Sequence, residues 1–138
     1  MKLFTSRYQR FQPAQGAPVR TTVGAPRYQL PYDLAGYARL LAPSYNMLKL
    51  DEQPYRHIYV ERLESAGLDA IQAELADIAD QAEDERLVLL CFCDLSVPPP
   101  NAWCHRRMFA DWWQEKTDED VPELAERPAP PAPTLFDY

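Results

Sequence analysis

Arg86-Leu87-Val88-Leu89-Leu90-Cys91-Phe92-Cys93 is continuously apolar after its first residue. A run of this length without alternation suits a strand buried on both faces, as in a parallel sheet covered by other elements. It is far too short to cross a bilayer. The segment Asp94 to Pro100 then breaks the pattern, because its three consecutive prolines cannot extend a ladder. Asn101 reads as a helix N-cap, and Ala102 to Lys116 as a helix. Its His105, Met108, Phe109, Trp112 and Trp113 form one apolar stripe. A buried strand, a loop and an amphipathic helix make an α/β unit, and the remaining chain is read outward from it.

Before the strand, Leu68, Ile71, Leu75 and Ile78 recur at three- and four-residue steps, which predicts a helix over 68–84 with its acids facing outward. Ile58, Val60 and Leu63 suit another helix, starting at Tyr55 and ending near Gly67. Leu34 to Leu41 reads as a short helix ended by Pro43, with Ser44 capping a turn that holds Tyr45, Met47 and Leu48. Residues 2–6 form a first strand and 7–18 a loop. Val19 to Val23 is a second, β-branched strand, stopped by Gly24-Ala25-Pro26. Together these predict an α/β fold, a three-layer, Rossmann-like sheet flanked by helices, over residues 1–124. A disordered, Pro-rich, acidic tail is expected over 125–138.

The 138 residues fit one domain, and a hydrophobic fraction of 46% is enough to build its core. The net charge of −7 excludes coating nucleic acid by bulk charge. The sign is unevenly spread, however. Residues 1–32 hold Lys2, Arg7, Arg10, Arg20 and Arg27 and no acid, while 61–85 hold Arg62 against a run of acids, so a local basic crevice is allowed. The N-terminus reads as a strand rather than a cleavable leader, so a cytoplasmic protein is expected. Its three cysteines would there be thiols or ligands rather than disulfides. There is no Walker loop and no Gly-x-Gly-x-x-Gly.

Ligands of open α/β sheets bind at the carboxyl ends of strands. Cys93 and Asp94 are expected at that end, with Cys104, His105 and Arg106 in the first turn of the following helix. Three chemistries are open to this unit. One is anion binding by Arg106, the helix N-terminus and Arg20 or Arg27 from the second strand. The second is thiol catalysis, with Cys104 acidified beside His105 and Arg106. The third is a zinc site from Cys91, Cys93, Cys104 and His105, although the usual spaced ligand pairs are missing. A phosphatase loop is disfavoured, since Pro99 stands where an arginine is needed after Cys93.

The ordered part resembles the short, single-domain members of the Domain of Unknown Function 488 family over about residues 2–124. The resemblance rests on Phe4-Thr5-Ser6-Arg7-Tyr8, Pro18-Val19-Arg20-Thr21-Thr22-Val23-Gly24-Ala25-Pro26, Leu41-Ala42-Pro43-Ser44-Tyr45 and Tyr59-Val60-Glu61-Arg62-Leu63. Its most specific parts are Val88-Leu89-Leu90-Cys91 and Trp103-Cys104-His105-Arg106. It implies a three-layer α/β fold and a site around Cys91, Cys104, His105 and Arg106, with Thr5, Ser6 and Gly24 nearby. It implies no established activity. Short members carry an acid two residues after the strand cysteine. Here Cys93 stands there, with Asp94 next to it, and the loop 94–102 is longer and Pro-rich.

The leading expectation is a domain holding a phosphate-bearing ligand, a nucleotide or nucleic-acid end, between strand 86–93 and helix 102–116. Thr5, Ser6, Arg20, Gly24, Arg27, Cys91, Asp94 and Arg106 would form the binding set, with Cys104 and His105 as the candidate catalytic pair. No cofactor is expected unless the cysteines hold zinc. The alternative is an adaptor recruiting a protein through Leu135 and Phe136. That ending is similar to the Leu-Phe end of bacterial sliding-clamp binding peptides, with Ala132 in place of their usual glutamine.

Overall fold

The computed structural model describes residues 1–125, so the tail expectations, including Leu135 and Phe136, lie outside the described residues. Four strands, β1 (Lys2–Arg7), β2 (Ala17–Arg20), β3 (Gly36–Tyr37) and β4 (Arg86–Cys91), form one sheet in the order β1-β4-β2-β3. Every pairing is parallel. Helices α1 (Glu52–Ala66), α2 (Leu68–Ala82) and α3 (His105–Thr117) flank it, giving the expected Rossmann-like α/β architecture.

The unbroken apolar run earns its reading at β4. Leu87, Val88, Leu89, Leu90 and Cys91 are all buried, because β4 lies between β1 and β2. Its two faces meet different material. Leu87 and Leu89 join the core that all three helices line, whereas Val88 and Leu90 pack on Tyr8, Phe11, Tyr32 and neighbouring loop residues. Cys91 follows Leu87 and Leu89 at two-residue steps and so points to the helical side.

The helices bury the faces their periodicity selects, with one correction. In α2, Ile71, Leu75 and Ile78 are buried as expected. In α1 the stripe is Tyr55, Tyr59 and Leu63, while Ile58 is exposed. The tyrosines supply more apolar body, and Tyr59 satisfies its hydroxyl on the Leu41 carbonyl at 2.6 Å. Gly67, at φ 89°, ends α1 and begins α2.

Two boundaries differ from expectation because neighbouring backbone claims the segment. Leu34 to Leu41 is not a helix. The Ala35 and Ala38 amides donate to Pro18 and Arg20 carbonyls, so the segment extends the β2 edge as β3 before a 3-10 turn at Arg39–Leu41. β2 itself occupies Ala17–Arg20 rather than Val19 to Val23. Beyond it Thr21 turns its hydroxyl to the Leu90 carbonyl at 2.8 Å. At the opposite edge, Pro122 accepts from the Thr5 amide and Leu124 donates to the Thr5 carbonyl, so a short segment covers β1.

Gly16, at φ 144°, delivers the chain into β2 beside β4. A Cβ there would lie 2.6 Å from the Arg86 carbonyl oxygen. Gly16→Ala should therefore cost about 2 kcal/mol, from positive φ and close approach together. Urea unfolding measures it, and a loss under about 0.5 kcal/mol would mean that the turn relaxes freely.

Candidate functional site

The carboxyl ends of β4 and β2 and the start of α3 converge on one cleft of about 390 Å³. Cys91 ends β4, and Thr22, Val23 and Gly24 follow β2. α3 begins one turn later than the sequence predicts, at His105, with Cys104 rather than Asn101 as its N-cap. The turn through Asn101 and Trp103 is free to wrap the cleft as a result. Val23, Pro43, Leu48, Tyr55, Phe92 and Trp103 give it largely apolar walls, and Tyr55 packs edge-on against Trp103.

Three thiols gather there. The Sγ atoms of Cys91, Cys93 and Cys104 lie within 4.8 Å of one another, and Cys91 Sγ is 2.8 Å from Cys104 Sγ. Cys91 and Cys104 are buried, whereas Cys93 is exposed. Arg106 Nη1 donates to Cys91 Sγ at 2.9 Å and to the Cys93 carbonyl at 2.7 Å. Burial opposes charge on Cys91. Donation from the Cys104 and Cys93 thiols, then the nearby Arg106 charge, outweighs it and holds the Cys91 thiol well below its ordinary value. Burial, followed by the hydrogen bond to Cys91, pushes Cys104 well above its own. The acidified thiol is thus Cys91, not Cys104 as the helix-turn argument predicts, because Cys91 receives the donors.

His105 is oriented by β2. Its Nε2 lies 2.9 Å from the Thr21 carbonyl, which only accepts, so Nε2 carries the proton. Burial lowers the His105 pKa, leaving a neutral ring. Its bare Nδ1 then faces Cys104 Sγ at 3.6 Å. Tyr59 packs edge-on against the ring from α1.

The arginines are otherwise engaged than the sequence predicts. The Arg106 side chain is 0% exposed, and it holds Glu123 through Nε to Oε1 at 2.8 Å and Nη2 to Oε2 at 3.1 Å. A buried guanidinium needs this counter-charge, so its donors are committed to protein acceptors instead of projecting into the cleft. Arg20 stacks on Tyr37, with its carbon 3.9 Å from the ring centre, and bonds the Thr22 and Val23 carbonyls. It therefore shapes the cleft wall from behind. Arg27 is exposed and outside the cleft lining.

Of the remaining candidates, Gly24 lines the cleft and accepts the Thr22 hydroxyl at 2.6 Å. Thr5 lies deeper in β1, donating to Glu123 at 2.6 Å and accepting from Arg107 at 2.8 Å. Ser6 is buried and away from the cleft lining. Asp94 turns to Arg7, 3.4 Å away, and to Ser96, and lies outside the cleft lining. Sequence reasoning misses Glu123, Tyr55, Thr21 and Thr22. Glu123 is one acid among many after α3, and only its pairing beside β1 singles it out.

No helix among the described residues is long and apolar enough to cross a membrane. No family model, curated protein or solved structure matches the chain, so the family resemblance rests on the motif residues alone.

Removing the partner of a buried charge is costly. Glu123→Ala should destabilise the fold by about 3 kcal/mol, and Glu123→Gln, which keeps one acceptor oxygen, by less. Chemical denaturation compares them. Equal, small losses below about 1 kcal/mol would show that Cys91 and the Cys93 carbonyl suffice to hold Arg106.

Proposed function

We propose that this domain is a thiol enzyme in which Cys91 acts as the nucleophile on a small, largely apolar electrophile bound in the cleft. The observation that carries the reading is the 2.9 Å contact from the buried Arg106 guanidinium to Cys91 Sγ on the cleft lining. A thiolate, not a thiol, is the attacking species, and a fixed cation stabilises it. Cys104 supplies a second donor to Cys91, and the bare His105 Nδ1 faces Cys104 Sγ at 3.6 Å, so the Cys104 proton has a second acceptor to turn to when Cys91 reacts. The walls favour an alkyl or aryl body for the electrophile.

The phosphate-bearing ligand expected from the sequence draws support from the α3 N-terminus. Against it, no arginine or lysine among the described residues lines the cleft, and the Arg106 donors are taken by Glu123, Cys91 and the Cys93 carbonyl. Zinc draws support from the gathering of three sulfurs. Tetrahedral zinc with bonds of about 2.3 Å separates its sulfurs by roughly 3.8 Å. Cys91 and Cys104 Sγ, 2.8 Å apart, lie closer than that spacing and face each other as a thiol pair.

Alkylation by iodoacetamide, read site by site by peptide mass, tests the nucleophile. An ordinary thiol loses about tenfold in rate per pH unit below its pKa. The rate at Cys91 should fall by clearly less than that from pH 8 down to pH 6, since its thiol is held low, and Cys91→Ser should remove that fast phase. A rate at Cys91 that falls like an ordinary thiol's, or fast labelling confined to Cys93, would overturn the assignment.

A further inference from the structure

The three thiols occupy three different positions relative to solvent. Cys91 is 1% exposed, Cys104 is 2% exposed, and Cys93 is exposed beside them. We propose that the site is a dithiol peroxidase centre for organic hydroperoxides, with Cys91 as the attacking thiol, Cys104 as the resolving thiol and Cys93 as the thiol through which an external dithiol regenerates it. This rests on the reading of Cys91 as the nucleophile and adds a substrate class to it.

Access decides between electrophiles. A macromolecular disulfide cannot bring its sulfur onto an atom buried as deeply as Cys91 Sγ. A small molecule filling about 390 Å³ can present a terminal oxygen there. The apolar walls select a hydroperoxide with an alkyl or aryl body over hydrogen peroxide, which gains nothing from them. The partner that must be large, a protein dithiol, meets the one exposed sulfur.

The 2.8 Å contact of Cys91 with Cys104 means that a sulfenic acid formed on one is within reach of the other. The Cys91 thiolate attacks the terminal oxygen, so an S–O bond forms and the O–O bond breaks. The alkoxide leaves as the alcohol, taking the Cys104 proton by way of His105 Nδ1. The Cys104 thiolate then attacks the Cys91 sulfenic sulfur. An S–S bond forms, the S–O bond breaks, and hydroxide leaves, becoming water with one solvent proton. Two electrons pass from the two sulfurs to the hydroperoxide. For regeneration, the Cys93 thiolate attacks Cys104 Sγ, freeing the Cys91 thiolate. An external dithiol attacks Cys93, and its second thiol completes the exchange, leaving Cys93 and Cys104 reduced and the reductant as a disulfide.

The experiment uses the reduced full chain with cumene hydroperoxide as probe, hydrogen peroxide for comparison and thioredoxin as the dithiol. One equivalent of cumyl alcohol should form as two thiols disappear. Peptide mapping should join Cys104 to Cys91 or Cys93. Cys104→Ser should stop at a dimedone-trappable sulfenic acid on Cys91. Cys93→Ser keeps a hydroxyl donor beside Cys91 while removing the exchanging sulfur, so it should still release one equivalent of cumyl alcohol but turn over at least about tenfold slower with thioredoxin. Faster consumption of hydrogen peroxide than of cumene hydroperoxide overturns the substrate class. Undiminished turnover in Cys93→Ser overturns the relay. Rapid alkylation at Cys91 with no cumyl alcohol overturns the peroxidase and leaves the nucleophile. Slow alkylation with no alcohol, or one tightly held zinc per chain, overturns both.

Discussion

A guanidinium stripped of water must be surrounded by acceptors, and the Arg106 side chain, at 0% exposure, is the group about which this structure is organised. Its three donor nitrogens reach three segments: Glu123 after α3, the Cys91 sulfur at the end of β4, and the Cys93 carbonyl in the loop beyond. Glu123 is far in sequence from the two cysteines. Holding these segments together fastens the edge segment beside β1, sets where β4 ends, and brings positive charge to a sulfur that burial alone would leave neutral. The same interaction thus serves folding and chemistry.

Three chemically equivalent thiols are made unequal by position. Cys91 receives the donors and becomes the acid of the group. Cys104 gives its proton toward Cys91 and faces the bare nitrogen of a neutral His105. Cys93 lies outside the strand, and its exposure leaves it open to exchange. The division follows from one topological fact. β4 lies between β1 and β2, so its last residue is covered from both sides, while the residue two further on has left the sheet. The helical face of the sheet then supplies α3, whose N-terminal turn carries Cys104, His105 and Arg106 to the same place.

What the chain determines by itself is what short-range pattern encodes. An unbroken apolar run is incompatible with a half-exposed strand, and three- and four-residue steps are incompatible with anything but a helix face. β4, α2 and the α3 stripe are therefore legible in the amino-acid pattern alone, as is the placing of Cys104, His105 and Arg106 in the first helical turn after the strand, whereas a site shared with Cys91 is what the family resemblance implies. Tertiary contact decides the rest. Leu34 to Leu41 becomes an edge strand and a turn because β2 offers unpaired carbonyls. The N-cap of α3 moves to Cys104, and the α1 stripe moves to its tyrosines. Arg106 is visible in the sequence as a cation, but the carboxylate that neutralises it is not, since Glu123 is one of many acids after α3. Propensity and periodicity act within a few residues, whereas the state of a buried charge depends on which distant groups the fold brings against it. That is why the sequence locates the site and only the packed structure assigns the acidic thiol to Cys91.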